Sequence, residues 1–210
     1  MPLKIGVLIS GSGTNLQSII DSIEKKHIDG EIAVVISNKE SAYGLVRARM
    51  HGIEAVFVDE KKCCCFESFN DNIIEVLESH EVDLVVLAGY LKILSSRFIE
   101  AYKNKIINIH PSLIPSFCGK GYYGLKVHRA ALDYGVKISG ATVHFVDEKA
   151  DTGPIILQEA VNVECDDTAE SLQQKVLKIE HRLLPEAIKL FCENKLAVLG
   201  RKVTIKEMKA

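Results

Sequence analysis

Short apolar runs alternate with helical patterns along the first 110 residues, and this alternation limits the possible folds more than any other feature. The run 3–9 predicts a buried strand, and apolar residues at 16, 19, 20 and 23 predict the helix after it. The same alternation predicts strands at 31–36, 54–58, 83–88 and 105–109, and helices at 43–51, 66–80 and 98–102. Because strands joined through single helices pair in parallel, the chain is predicted to form a doubly wound α/β fold with a mostly parallel sheet.

The pattern changes after residue 110. The elements predicted there are a loop at 111–124, a short helix at 126–134, and strands at 137–146 and 155–163 that form an antiparallel C-terminal portion. Thr168 is predicted to cap a long final helix, and the last residues, 196–210, are expected to form a polar tail. Since no repeat or linker interrupts the chain, we expect a single domain, 1–210, with halves at 1–104 and 105–195.

Composition excludes several classes of function. The formal net charge is −2 and no basic block is present, so nucleic acid is not an expected partner. No apolar stretch approaches the ~18 residues of a membrane span, and the N-terminus lacks a signal region, so we expect a cytoplasmic protein without a membrane partner. Three of the six cysteines are consecutive, at 63–65. They form either a metal or redox site or a set of reduced thiols, and the absence of CxxC spacing favours the thiols.

A glycine-containing turn at 10–16 joins the first strand to the first helix. Backbone N–H groups and the positive end of the helix dipole favour an anion at such a turn. Leu16 replaces the third glycine of the dinucleotide fingerprint and the P-loop lysine is missing, so NAD is not predicted. The turn either has a purely structural role or binds a monophosphate, and we favour the phosphate.

Asn108 and His110 flank Ile109 at the end of a predicted strand. With a period of two, both polar side chains face the same side, and ligands of open α/β sheets bind beyond the carboxyl ends of strands. A carboxamide and an imidazolium both donate to a developing oxyanion, and imidazole also transfers protons. A structural role is the alternative, but the pair favours catalysis.

The acidic segment 147–151 is either a solvated turn or the source of a carboxylate, Asp151, that faces inward. A carboxylate near His110 would raise the imidazole pKa and orient the ring. His144 is either a further site residue or a packed core histidine. The histidines lack the spacing of zinc ligands, so no metal is predicted.

Six motifs in this order resemble the formyltransferase superfamily that uses 10-formyltetrahydrofolate, across about the first 195 residues. They are Val-Leu-Ile-Ser-Gly-Ser-Gly-Thr-Asn-Leu-Gln at 7–17, Ile-Ser-Asn-Lys at 36–39, Gly-Tyr-Leu-Lys-Ile-Leu at 89–94, Ile-Asn-Ile-His-Pro-Ser-Leu-Ile-Pro at 107–115, Val-His-Phe-Val-Asp at 143–147 and Asp-Thr-Gly-Pro-Ile-Ile-Leu-Gln at 151–158. The resemblance implies a Rossmann-like fold with a phosphate-binding first half and a catalytic, folate-binding second half. Within the superfamily, the chain is similar to the branch that formylates glycinamide ribonucleotide in purine biosynthesis.

The resemblance also implies roles for individual residues. The implied catalytic residues are Asn108, His110 and Asp151. The residues implied to bind the substrate phosphate are Gly13, Thr14, Asn15, Leu16 and Gln17, with Glu180 on the ribose. Those implied to contact the folate are Phe66, Leu91, Lys92, Ile93, Leu94, Asp147, Glu148, Lys149 and Ala150, together with Asn108 and Asp151. Phe66 stands where relatives often carry a basic residue, and Lys61, Lys62 or Lys92 could replace that contact.

The mechanism that these roles imply is direct acyl transfer from 10-formyltetrahydrofolate as co-substrate. Asn108 and a protonated His110 stabilise the oxyanion, Asp151 keeps the imidazole charged, and the proton reaches the leaving nitrogen through His110 or a water. The alternatives are a formyltetrahydrofolate deformylase, which usually has a regulatory domain before the first strand, and a non-catalytic folate- or nucleotide-binding module. A tRNA formyltransferase is not expected, because it carries an additional basic domain. Both a monomer and a homodimer are compatible with the sequence.

Overall fold

Strands and helices alternate through the first half of the chain in a computed structural model that describes residues 2–206. The chain divides into two compact units, Met1–Ile107 and Asn108–Ala210, with the boundary inside one strand. The predicted boundary between the halves, at 104/105, lies three residues before the boundary in the structure, at 107/108. The single formyltransferase domain predicted from the sequence stays a prediction.

The first unit contains a βα repeat at nearly the predicted positions. Its elements are β1 (Leu3–Ile9), α1 (Thr14–Glu24), β2 (Gly30–Ser37), α2 (Tyr43–Met50), β3 (Ala55–Phe57), a short 3-10 helix (Glu60–Lys62), α3 (Phe66–Ser79), β4 (Leu84–Leu87), α4 (Ser96–Ala101) and the start of β5 (Ile106–His110). The strand order is β3-β2-β1-β4-β5, and the pairs of β1 with β2 and β4 are parallel.

The core of the first unit lies against β1. Val7, Leu8 and Ile9 are completely buried, because both faces of a central parallel strand are covered. Gly6 permits close approach of α3, since a Cβ there would lie 2.4 Å from Leu77 Cδ2. The nearly continuous apolar run that predicted β1 therefore reflects two-sided burial.

The second unit combines the end of β5 with antiparallel strands and a long helix. Its further elements are α5 (Leu125–Tyr134), β6 (Ile138–Phe145), β7 (Ile155–Asn162), α6 (Ala169–Cys192), β8 (Leu196–Leu199) and β9 (Lys202–Ile205). The strand order is β5-β6-β7-β9-β8, with β6 antiparallel to β7 and β8 antiparallel to β9. The predicted doubly wound, mostly parallel α/β fold with an antiparallel C-terminal portion and a long final helix is confirmed.

Thr168 caps α6, as predicted. Its hydroxyl accepts a hydrogen bond from Ser171 N at 3.1 Å, and Ser171 Oγ in turn accepts one from Thr168 N at 2.9 Å. This reciprocal pair satisfies two N–H groups that a helix start leaves unpaired. Glu170 lies in the first turn, where its charge complements the helix dipole.

The predicted tail at 196–210 is wrong for residues 196–205, which form the β8–β9 hairpin around a turn with Gly200 at φ 61°. The apolar run Leu196–Leu199 is as short as β4, but no helical pattern follows it, so the alternation that identifies β4 does not identify β8. Residues 207–210 lie outside the described part of the chain. Within the described residues, no helix has both the length and the apolar character that crossing a bilayer requires.

Candidate active site

Asn108 and His110 project from the last residues of β5, with Ile109 between them. Ile109 and His110 are 6% and 4% exposed, whereas Asn108 is partly exposed. Alternation along the strand places the two polar side chains on the same face, as predicted. Pro111 follows and cannot donate a ladder hydrogen bond, so the strand ends there.

Four polar side chains from three segments meet at this strand end. Asp151 Oδ2 lies 3.5 Å from His110 Nδ1, and Asp151 Oδ1 lies 3.5 Å from Asn108 Nδ2 and 3.7 Å from His144 Nε2. Asn108 Nδ2 also lies 3.0 Å from His144 Nε2. We name Asn108, His110, His144 and Asp151 the polar cluster.

The backbone around Asp151 holds its carboxylate toward the cluster. Asp151 adopts φ 57°, a left-handed conformation that few side chains other than Asp and Asn tolerate. Gly119 N donates to Asp151 Oδ2 at 2.7 Å. No residue but glycine fits at 153, because a Cβ there would lie 1.8 Å from the Phe145 carbonyl oxygen. The turn after Asp151 therefore fixes one carboxylate inward, as the sequence predicts.

His144, whose role the sequence left open, belongs to the cluster and is 1% exposed. Its Nδ1 lies 2.7 Å from the Phe145 carbonyl oxygen, which can only accept, so the hydrogen is assigned to Nδ1. Nε2 lies 3.0 Å from Asn108 Nδ2 and 3.7 Å from Asp151 Oδ1, and in the neutral ring it accepts from the Asn108 amide N–H. This contact fixes the orientation of the carboxamide, with the NH₂ group toward His144 and Asp151.

Burial lowers the pKa of His110 below its ordinary value and outweighs the Asp151 carboxylate and the Phe117 carbonyl, which both raise it. The carboxylate acts in the predicted direction, but the imidazole is neutral at pH 7 in this structure, not protonated as the sequence analysis expected. Its Nε2 lies 3.0 Å from the Phe117 carbonyl oxygen, so Nε2 carries the hydrogen. The unprotonated Nδ1 then faces Asp151.

The Asp151 carboxyl stays ionised. Burial raises its pKa, but His144, His110 and the Gly119 N–H together lower it below the ordinary value. Cys118 lies in the adjacent loop, where burial first and Asp151 second raise the pKa of the thiol. A protonated thiol is a poor nucleophile, so the cluster supports acid–base chemistry rather than covalent catalysis through Cys118.

The predicted phosphate turn lies in the first unit. Gly13 precedes α1 at φ 71°, and no side chain among the described residues caps that helix. Ser10 Oγ donates to Asn38 Oδ1 at 2.6 Å and accepts from Leu91 N at 2.9 Å, which ties the turn to the loop after β4. No local pattern predicts an individual role for Ser10, because these partners are distant in sequence.

The remaining predicted residues occupy varied surroundings. Glu180 is 7% exposed on α6, so it is not a simple surface residue of that helix. Phe66, Leu91 and Ile93 are exposed, and Lys92 pairs with Glu60. Asp147 Oδ1 accepts hydrogen bonds from Lys149 N and Thr152 Oγ1. Their contacts to a folate stay predictions.

In the described part of the chain, no group of three or more His, Cys, Asp or Glu residues is arranged to hold a metal ion. His128, on α5, is 1% exposed, and its Nδ1 has no hydrogen-bond partner among the described residues. Cys63, Cys64 and Cys65 are free thiols.

Comparison with known proteins gives consistent matches. The Formyl transferase family model matches residues 3–188. A phosphoribosylglycinamide formyltransferase from Haemophilus influenzae is 45% identical over 194 residues, covering 92% of this chain and 89% of that protein. A chloroplastic phosphoribosylglycinamide formyltransferase from Vigna unguiculata is 42% identical, covering 92% of this chain and 62% of that protein.

Among solved structures, the glycinamide ribonucleotide transformylase 1 of Symbiobacterium toebii matches with a TM-score of 0.94 and 48% identity, covering 98% of this chain and 95% of that chain. By contrast, the chain spans only between 18% and 66% of the length of the plant and vertebrate relatives that it matches. The comparisons therefore agree on the matched region and leave the rest of those longer relatives without a counterpart.

Proposed function

Since the chain belongs to the formyl transferase family, we propose that it transfers the formyl group of 10-formyltetrahydrofolate to the amine of glycinamide ribonucleotide. The products are the N-formyl ribonucleotide and tetrahydrofolate, in purine biosynthesis. The observation that carries the proposal is the polar cluster, in which the Asn108 amide and the neutral His110 imidazole each lie 3.5 Å from the ionised Asp151 carboxylate.

Asn108 is proposed to stabilise the oxyanion. Attack of the amine on the formyl carbon turns the carbonyl oxygen into an alkoxide, and a fixed amide N–H stabilises that charge more than it stabilises the substrate. The 3.0 Å contact with His144 holds one Asn108 N–H. The second N–H lies 3.5 Å from Asp151 Oδ1, at the limit of a hydrogen bond, and is proposed to donate to the oxyanion instead.

His110 is proposed to carry the proton. The attacking nitrogen becomes positively charged as its bond to the formyl carbon forms, and a neutral imidazole can accept its proton. The imidazolium is stabilised by Asp151, whose Oδ2 lies 3.5 Å from Nδ1. The proton then passes to N10 of the folate as the bond between N10 and carbon breaks, and His110 returns to its neutral form.

Substrate-binding roles are proposed from the family resemblance. The turn that contains Gly13, Thr14 and Asn15 binds the phosphate, supported by its position at the start of α1. Glu180 holds the ribose hydroxyls. The exposed loop at 91–94 and the segment at 147–151 bind the folate, with Phe66 near its tail.

The same cluster could instead direct water to the formyl carbon, which is the deformylase reaction, or bind folate without reacting. One assay separates these functions: the protein is supplied with 10-formyltetrahydrofolate alone, with glycinamide ribonucleotide, or with tRNA. We expect tetrahydrofolate release that depends on glycinamide ribonucleotide. Release without an acceptor would identify a hydrolase, and no release under any condition would contradict catalysis.

Other properties also rest on the sequence. Three further properties remain predictions. The location is expected to be cytoplasmic, the reaction is expected to need no metal ion, and the expected partners are small molecules rather than nucleic acid or membrane. Whether the protein is a monomer or a homodimer is a question for sedimentation analysis.

A further inference from the structure

Three successive carbonyl groups of the phosphate turn accept hydrogen bonds from within the first unit. Gly11 O accepts from Gly44 N at 3.1 Å, Ser12 O from Arg47 Nε at 2.9 Å, and Gly13 O from Gln17 N at 2.9 Å. A carbonyl oxygen carries partial negative charge and repels phosphate, whereas an N–H attracts it. Because these three oxygens accept hydrogen bonds within the protein, the turn presents its N–H groups, rather than its carbonyl oxygens, to an anion.

Two of those three donors come from α2, Gly44 N in its first turn and Arg47 Nε in its last turn. This helix start lies directly against the phosphate turn, because residues 13 and 44 are both glycine. A Cβ on Gly13 would lie 2.6 Å from Gly44 Cα, and a Cβ on Gly44 would lie 2.3 Å from Ile9 Cδ1. The close approach brings Arg47 within reach of Ser12 O.

Arg47 is held by three contacts. Besides the bond to Ser12 O, its Nη1 donates to Gln17 Oε1 at 3.1 Å, and its Cζ lies 5.0 Å from the centroid of the Tyr43 ring. Gln17 belongs to α1, so the guanidinium links the turn to the helix after it. Arginine suits this role because its planar fork donates in two fixed directions at once.

We propose that Arg47 is a positioning residue for phosphate recognition: it holds the Ser12 carbonyl away from the anion and fixes the turn on α1. The inference rests on the proposed function, because it concerns the substrate phosphate. Arg47 acts through the turn and not on the reacting atoms. Its loss should weaken binding of the phosphorylated substrate while leaving the chemical step unchanged.

The test is steady-state kinetics of Arg47→Gln beside Arg49→Gln, a matched control on the exposed side of the same helix. For Arg47→Gln we expect the KM for glycinamide ribonucleotide to rise about tenfold, as for loss of one charged hydrogen bond. The KM for 10-formyltetrahydrofolate and kcat should stay within about twofold. Arg49→Gln should match the wild type in all three constants.

Inhibition by inorganic phosphate gives a second readout. The inhibition constant should rise in Arg47→Gln by a factor similar to the change in KM, and Arg47→Lys, which keeps the charge but not the fork, should fall between Arg47→Gln and the wild type. Unchanged phosphate inhibition, or a loss of kcat with no change in KM, would overturn the inference.

Folding is checked by thermal unfolding of each variant. If both Arg47 variants unfold at the assay temperature, the role is structural and the inference is wrong. The wild-type assay is run first, so a failure of the proposed function appears in the wild type and a failure of the Arg47 inference appears only in the variants.

Discussion

At the residue scale, the chemistry depends on two opposing influences on His110. Burial lowers its pKa and Asp151 raises it, with burial dominant. The ring is therefore neutral before reaction, and the carboxylate is already in place when a proton arrives. A more exposed histidine beside the same carboxylate would have a higher pKa. A larger fraction of its rings would already be protonated at neutral pH and could not accept the amine proton.

This balance predicts the titration of His110. A folded-state pKa below the ordinary 6.5 means that the ring stays neutral at pH 7 and gains its proton only as the pH falls below 6.5. In Asp151→Asn the raising influence is lost, so the pKa should fall further. The measurement is NMR of the imidazole C–H resonances, assigned with His110→Asn. A wild-type midpoint above 6.5, or an upward shift in Asp151→Asn, would contradict the assignment.

Asn108 should contribute mainly to kcat. In Asn108→Ala the oxyanion donor is absent, and turnover should fall about 10²- to 10³-fold with a much smaller change in KM. Asn162→Ala, at an exposed position on β7, is the matched control and should retain wild-type turnover. The role fails if Asn108→Ala keeps more than about a third of wild-type kcat.

Only some members of the polar cluster follow from the sequence. Strand alternation predicts that Asn108 and His110 share a face, and the resemblance adds Asp151. The part played by His144 depends on its 3.0 Å contact with Asn108 across two strands, and no local pattern reports such a contact. The lowered pKa of His110 cannot be predicted from the sequence either, because it depends on how completely the folded chain buries the ring.

At the element scale, the start of α6 carries a testable contribution to stability. Thr168→Ala removes the hydroxyl that accepts from Ser171 N, and one helix N–H loses its partner. The free energy of unfolding should fall by about 1 kcal/mol. Thr168→Ser keeps the hydroxyl and should lose only a few tenths of that amount. Urea titrations of both variants measure the difference, and equal losses would show that the hydroxyl is not the cause.

Elements differ in how far the sequence predicts them. β1 and α6 are long and strongly patterned, so both were predicted to within a few residues. The β8–β9 hairpin is missed because its short, partly exposed strands follow the final helix and lie outside the alternation of strands and helices that identifies the equally short β4. The contact of α2 with the phosphate turn was also missed, since glycine at 44 reads as a weak helix residue until its neighbour Gly13 is known.

At the scale of the whole molecule, buried neutral histidines should make the fold sensitive to acid. Burial first, and then the charge of His110, lowers the pKa of His128 to about 4. In the unfolded chain it titrates near 6.5, so the unfolded state takes up the proton first as the pH falls. Stability from neutral His128 is therefore complete above pH 6.5 and is lost between pH 6.5 and about 4.

The expected size of this effect is about 1 to 2 kcal/mol between pH 7 and pH 5, measured as the free energy of unfolding in urea. His128→Gln cannot take up the proton, so its stability should depend less on pH by a similar amount, even if its stability at pH 7 is lower. A variant whose pH dependence equals that of the wild type would show that other groups cause the acid sensitivity.

Two hydrogen bonds join the loop at 111–124 to the polar cluster through main-chain atoms: the Phe117 carbonyl lies at His110, and the Gly119 N–H at Asp151. Amino-acid replacements along the loop therefore leave these contacting atoms in place as long as the backbone path is kept. A scan of single substitutions would underestimate the importance of the loop. Insertions and deletions displace the carbonyl and the N–H themselves, and they therefore alter the contacts of the loop with His110 and Asp151.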